Sequence, residues 1–414
     1  MSQQSNSQQT QYDWAIDPKG PVALKLKQRL LPVEESGIIF PPTYADIGYN
    51  IDTLSNGTRV ATIDSVGSQA NRLEPIFKSN SEKPEDWFVP QIQIVIRKED
   101  CGECEACKGN AESGEGKKGK KDACKQPREV TRSLLDLAHR AADAVVQSSP
   151  ELLKLVGRAF KELQQGDAGR LCAIAPTSLV FGVWDSRGDT GEKRPRLVRS
   201  IIRAWDVEVI HAAAQFNSVW KLLDEEQQEA LEKEAKAKKV KLSEKGLKDA
   251  PATFRKTKIP QYVNGSPNPE ARVLGGVLVK GRIEREVTVN LVALRGLRGA
   301  NNDETAAIQK YLLGLSLMAA TADIELFLRE GCLLRYAENS DTWYQVPRRG
   351  EPVQVKDLNA EQIKDYVKAA AEHFRSKWPE VFKDKWPELK YEFNLAKAKE
   401  LLAKKTAEEG EQQE

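Results

Sequence analysis

Cys101, Cys104, Cys107 and Cys124 stand in the segment CGECEACK…DACK with two, two and sixteen residues between them. Four thiolates suit tetrahedral zinc, and the neighbouring Lys117, Lys118, Lys120 and Lys121 favour the ionised form and offset an anionic site. Residues 101 to 128 hold almost nothing apolar, so a structural ion would supply the folding energy that burial cannot. An iron–sulfur cluster is the alternative metal, although the fourth cysteine is misplaced for the short ferredoxin run; free thiols in an unstructured loop are the alternative without metal. A second cluster is cationic. WDSRGDTGEKRPRLVRSIIR concentrates Arg187, Lys193, Arg194, Arg196, Arg199 and Arg203, a density that suits a phosphodiester backbone as well as a solvated turn.

A third pattern lies in ATIDSVGSQANRLEPIF, residues 61 to 77. Asp64 can cap a helix in which Val66, Ala70 and Leu73 share one side and face inward. Ser65, Ser68, Gln69 and Arg72 share the other side, while Gly67 lets the backbone itself approach a ligand. Pro75 should kink or end the helix near Glu74. A ridge of hydroxyls, an amide and one guanidinium without bulk fits a sugar-phosphate strand; a short solvated helix face is the alternative.

Histidine chemistry has little material. His139, His211 and His373 are the three histidines, and their settings suit surface or packing roles better than general-base catalysis. The glycines of LGGVLVKGR and LRGLRGANN are not followed by the Lys-Ser/Thr of a Walker loop.

The elements that must position these groups are α+β in character. VALKLKQRLL (22–31) and FVPQIQIVIR (88–97) alternate as half-buried strands do, and Asn56-Gly57 reads as a hairpin turn. Periodicity predicts helices over 130–147 and 150–165, a buried strand in LCAIAPTSLVFGVWDSRG ending at Asp185 to Gly188, and strands through LVRSIIRAWDVEVI. A charged helix follows in LLDEEQQEALEKEAKAKKVK, within an insertion whose lysines over 233–258 suit a thumb-like RNA contact or, for most of them, pairing with glutamates four residues away. Strands resume over VLGGVLVKGRIEREVTVNLVAL, and helices are predicted at 303–329, 359–375 and 394–405.

The 414 residues carry 63 Lys plus Arg against 61 Asp plus Glu, a formal net charge of +2, so any basic patch must be local. The most apolar stretch, AAIQKYLLGLSLMAATADIELFL, contains Gln309, Lys310, Asp323 and Glu325 and reads as a buried helix rather than a membrane span. MSQQSNSQQTQ lacks the features of a secretory signal, and the expectation is a disordered tail on a cytoplasmic protein.

FPPTYADIGYN…VATIDSVGSQANRLEPIF resembles the backbone subunit of the type I-G (formerly I-U) CRISPR effector complex, a member of the repeat-associated mysterious protein superfamily. Asp64-Ser65-Val66 and Ser68-Gln69-Ala70-Asn71-Arg72-Leu73 carry most of the resemblance, which is strong over 38–77 and weaker over 179–206 and 272–335. It implies an RRM/ferredoxin-like palm with long insertions forming fingers and thumb, to which this chain adds extra C-terminal helices outside the resemblance. The corresponding layout is a tail at 1–20, a palm over 21–335 interrupted by the metal loop at 101–128 and a thumb-like insertion at 207–270, a helical extension at 336–406 and a second tail at 407–414. It also implies a subunit without catalysis that binds crRNA through Ser65, Ser68, Gln69, Asn71 and Arg72. Copies of itself would stack head to tail in a helical filament, with other Cascade subunits and a helicase-nuclease as partners, and target DNA would be reached through the guide. Asp46, Asp52 and Asp64 lie near this region, and some type III relatives cut target RNA with an aspartate. A guide-processing ribonuclease and a zinc-stabilised RNA-binding protein outside CRISPR are the alternatives.

Overall fold

The computed structural model describes residues 12–44, 47–81, 83, 86–98, 128–186, 188–212, 219–242, 245, 247, 262–263, 266–267, 273–356, 358–378 and 389–400. Cys101, Cys104, Cys107, Cys124 and Arg187 lie outside the described residues. From the N-terminus, β1 (Ala23–Pro32), β2 (Ile38–Ile39), β3 (Ile51–Thr53) and β4 (Arg59–Asp64) lead into α1 (Val66–Leu73). β5 (Gln93–Lys98) and β6 (Arg128–Ser133) precede α2 (Ala144–Gln147), α3 (Pro150–Gln164), α4 (Gly169–Ile174) and α5 (Pro176–Val180). Next come β7 (Val183–Trp184), β8 (Lys193–Arg194), β9 (Val198–Trp205), β10 (Val207–Ala212), α6 (Glu225–Ala237), β11 (Tyr262–Val263), β12 (Ser266–Pro267), β13 (Val273–Val279) and β14 (Ile283–Asn290). The order closes with α7 (Leu291–Arg295), α8 (Asn302–Thr321), β15 (Phe327–Arg329), β16 (Cys332–Tyr336), β17 (Thr342–Val346), β18 (Val353–Val355), α9 (Ala360–Lys377) and β19 (Lys390–Glu392).

The protein is a mixed α+β structure built on a large, curled antiparallel sheet. Its strands run β15-β16-β1-β14-β9-β4-β3, with β17 also pairing with β1 and β18 with β17. Alternation decides which side is covered. On β1, Leu24, Leu26, Gln28 and Leu30 are buried while Lys25, Lys27 and Arg29 face outward; β14 repeats the pattern with Ile283, Arg285, Val287 and Val289 inside. The covered face carries two apolar clusters. One joins Leu24, Leu26, Val287, Val289 and Val198 to Ala70 and Leu73 of α1 and to the interior of α8. The other lies in the curl, where Ala61 and Ile63 of β4 meet Leu328, Cys332 and Leu334 from the opposite end of the sheet.

A polar belt separates these clusters. Gln28 and Arg285 are register partners across β1 and β14, and Arg285 Nη1 donates to Gln28 Oε1 at 2.5 Å. Arg285 Nε donates to Ser200 Oγ (3.1 Å) and Gln69 Oε1 (3.3 Å), and Ser200 donates to Gln69 Oε1 at 2.7 Å. Gln69 Nε2 continues the chain to Asp64 Oδ2 at 2.6 Å. Buried polar groups of this kind are tolerated because most of their atoms find a partner; Arg285 Nη2 is buried without one among the described residues.

Several sequence expectations hold. β1 covers the expected alternating run, and the Asn56-Gly57 turn joins β3 to β4 with Gly57 at φ +83°, a conformation suited to glycine. α3 and α9 lie where periodicity puts them, and α6 has the capping box of Asp224 with Gln227 and the ion pairs Glu229–Lys233 and Glu234–Lys238.

Other elements differ. The stretch 130–147 is not one helix: β6 pairs with β5 through Val130 and Thr131, Ser133 caps a short 3₁₀ turn, and Arg140 adopts φ +55°. Leu134, Leu135, Ala141 and Ala142 are buried by turns, so an apolar repeat mimics a helical stripe. Of the strand expected in LCAIAPTSLVFGVWDSRG only β7 is extended; LCAIAPTSLV is instead the pair α4 and α5, broken at Pro176, helices so nearly buried all round that little polar face reveals their period. α8 ends at Thr321 rather than near 329, and the chain returns to the sheet as β15. The C-terminal residues also enter the main core: α9 packs on α8, where Tyr311 and Phe374 stack at 4.9 Å between ring centroids. Among the described residues no helix is long and apolar enough to cross a membrane.

A candidate nucleic-acid interface

Helix α1 begins where β4 ends. Ser65, rather than Asp64, is the N-cap, its Oγ accepting from the Ser68 backbone N–H at 3.3 Å. Asp64 is turned inward and buried beneath the first turn, where the helix N-terminus favours a negative charge. It accepts from Gln69 and from Arg72 Nε, the latter at 3.2 Å. Arg72 Nη1 and Nη2 donate to the carbonyl oxygens of Phe327 and Leu328, at 3.3 and 3.2 Å, so one guanidinium joins β4 to β15 across the curl. At Pro75 the α-helix gives way to a 3₁₀ turn over Glu74–Phe77, as the proline demands.

With Gln69 and Arg72 committed to the sheet, the open side of α1 consists of Ser65, Gly67 and Ser68, which are half-buried, and Asn71, which is exposed. A Cβ added to Gly67 would meet nothing within 4 Å. Gly67 and Asn71, one turn apart, form one wall of an open cleft of about 610 Å³. Its other walls are the 138–142 turn and the β7–β8 hairpin, which bring His139, Arg140, Trp184, Lys193, Arg194 and Arg196 to the same space. No carboxylate is among the described residues lining it. Gly182, at φ +82°, makes this approach possible, since a Cβ there would fall 2.8 Å from the Arg196 side chain.

The cations differ in how far they are neutralised. Arg140 forms a buried ion pair with Glu74 at 2.7 Å, and burial raises the Glu74 carboxyl to about 7 against the opposing pull of Arg140. Burial also lowers the Arg140 pKa; Glu74 opposes that shift and the nearby Arg196 adds to it. Arg140 Nη2 donates to Asn71 Oδ1 over a long 3.5 Å. Arg194 pairs with Glu192 at 2.9 Å and donates to the Leu163 carbonyl at 3.0 Å. Lys193 and Arg196 have no ion pair among the described residues and are both exposed. They leave the cleft with uncompensated positive charge, which focuses its field on anions.

The structure thus brings together Asn71, Lys193, Arg194 and Arg196, with Ser65 and Ser68 on the adjoining helix surface. It separates the others. Gln69 is fully buried in the polar belt, and Arg72 holds the two ends of the sheet, so both support α1 from behind. Arg199 is exposed on β9 but alternates to the face opposite buried Val198 and Ser200. Arg140 and Trp184 emerge only from the fold; the signal for Trp184 in the sequence is a tryptophan directly before the basic turn. Cys172 and Cys332 are buried free thiols, and burial pushes Cys332 up to about 12, which makes it unreactive. Among the described residues no group of three or more His, Cys, Asp or Glu is placed to hold a metal.

No curated protein matches the chain. Every described wall of the cleft falls within residues 24–209, the part of the chain that matches the family model described as CRISPR-associated protein GSU0053.

Proposed function

We propose that the protein is a non-catalytic backbone subunit of a type I CRISPR surveillance complex, binding crRNA along stacked head-to-tail copies so that the guide can pair with target DNA. The observation that carries this reading is the cleft, where the small-residue side of α1 faces Lys193 and Arg196. The Asn71 amide, the Ser186 hydroxyl and two cations without an ion pair among the described residues meet there, with no carboxylate among the described lining, the chemistry that phosphodiesters require. Base pairing would supply sequence specificity, so the protein needs no code for bases.

The sheet order supports an RRM/ferredoxin-like palm. Taken as first to fourth in sequence, β1, β9, β14 and the β16–β17 pair lie in the order fourth, first, third, second. α1 falls between the first and second of these strands and α8 between the third and fourth. Repetition of one heterologous contact would generate the open filament, with other Cascade subunits and a helicase-nuclease as partners.

Gly67 gives the direct test. Gly67→Ala should raise stability by about 0.5–1 kcal/mol, because alanine suits a helix better and has open space there. Gly67→Leu should fold equally but weaken binding of a single-stranded RNA several-fold by occupying the wall of the cleft. RNA affinity and melting temperature measured together decide the matter; unchanged affinity in Gly67→Leu would discard the cleft as the guide's path.

A guide-processing ribonuclease is a second reading, favoured by His139 at the cleft wall. Site-specific cleavage of labelled repeat RNA, lost in His139→Ala, would establish it. Structural zinc held by Cys101, Cys104, Cys107 and Cys124 is proposed from their spacing, and metal analysis of the purified chain should return about one zinc per copy.

A further inference from the structure

Trp184 is the largest side chain exposed in the cleft, at 58% of its surface, and it stands at the end of β7 opposite Lys193 in the hairpin register. Lys193 Nζ lies 5.4 Å from the indole centroid, so the ring has a cation against one side. Arg196 and Asn71 line the same space. A free inorganic anion would use the cations but not the indole, and an apolar peptide would use the indole but leave the cations unpaired. A nucleotide with an unstacked base satisfies both, with its π face against the indole and its phosphate near Lys193 and Arg196. The cleft volume of about 610 Å³ is within the range of ~300–1,000 Å³ that receives a small-ligand-sized group.

We propose that Trp184 is a stacking platform for one unpaired nucleobase, and that it makes the cleft selective for single-stranded over duplex nucleic acid. This rests on the reading of the cleft as an RNA path and adds what that reading lacks, a contact that charge alone cannot provide. Bases in a duplex keep both faces inside their own stack, so Trp184 can engage one only after it is extruded.

The experiment uses the full chain, a labelled single-stranded oligoribonucleotide and the duplex of the same sequence, across a salt series. Trp184→Leu should weaken single-strand binding roughly 5- to 150-fold, the range of one base–aromatic stack. It should leave duplex binding and the salt slope nearly unchanged, because no charge is removed. Trp184→Phe should retain most of the affinity, which separates loss of the ring from a disturbed hairpin. Arg196→Ala should instead lower the salt slope. If Trp184→Leu binds like the parent while Arg196→Ala loses affinity, the platform is wrong and the RNA path stands. Equal losses on single strand and duplex would also overturn the platform. If neither variant changes binding, both readings fail.

Discussion

Alanine at both Lys193 and Arg196 should weaken binding of single-stranded RNA at least tenfold at low salt and reduce the salt slope by about 1.4, the expectation for two lost phosphate contacts on a single strand. The two side chains are chosen because they bring charge to the cleft without an ion partner among the described residues. Arg140 and Arg194 are poorer subjects, since each already faces a carboxylate and its loss would disturb the fold. Arg199→Ala is the matched control: it removes an exposed cation from β9 on the other face of the sheet and should leave the slope within error. An unchanged slope in the double variant, or an equal loss in the control, would mean that RNA follows a different route.

The largest effect on stability is expected at Arg285. Its side chain is fully buried, and it is held by Gln28, Ser200, Gln69 and the Ala320 carbonyl. Arg285→Ala leaves a cavity and strips partners from buried polar atoms at once, so a loss on the order of 3–5 kcal/mol is expected. For a chain of this size that corresponds to a fall in melting temperature of about 3–6 °C. Arg285→Met combined with Gln28→Leu should recover part of the loss, because the Gln28 amide is no longer left unmet, while the Ala320 carbonyl still lacks its donor. Urea denaturation of the single and double variants would show this as a favourable coupling. Simple additivity would mean that the belt contributes nothing beyond volume. As Gln69 belongs to the same belt, Arg285→Ala should also loosen α1, seen as faster amide exchange over residues 66–73 than elsewhere in the core.

Local signals in the chain were informative about elements whose two sides face different surroundings. β1 alternates because one side meets the core and the other water, and α9 is amphipathic for the same reason. α4 and α5 are enclosed on nearly all sides and therefore offer little contrast to read. The turns of 134–143 carry apolar residues at helix-like intervals because the interior accepts them from any backbone path.

At the site, the basic turn and the small-residue helix were each legible, but their meeting was not. Asn71 and Arg196 come together only after β4 and β9 pair and the β7–β8 hairpin folds over the end of α1. The expectation that Gln69 faces outward depended on a helical wheel, which cannot know that Ser200 and Arg285 wait beneath it. A polar side chain read as a ligand contact can equally be one end of an internal hydrogen-bond chain.

Arg72 has a consequence for assembly. By donating to the carbonyls of Phe327 and Leu328, it occupies acceptors on the terminal strand of the sheet, β15, that a neighbouring molecule's backbone would otherwise seek. That stretch of the rim is thereby blunted against growth by strand addition.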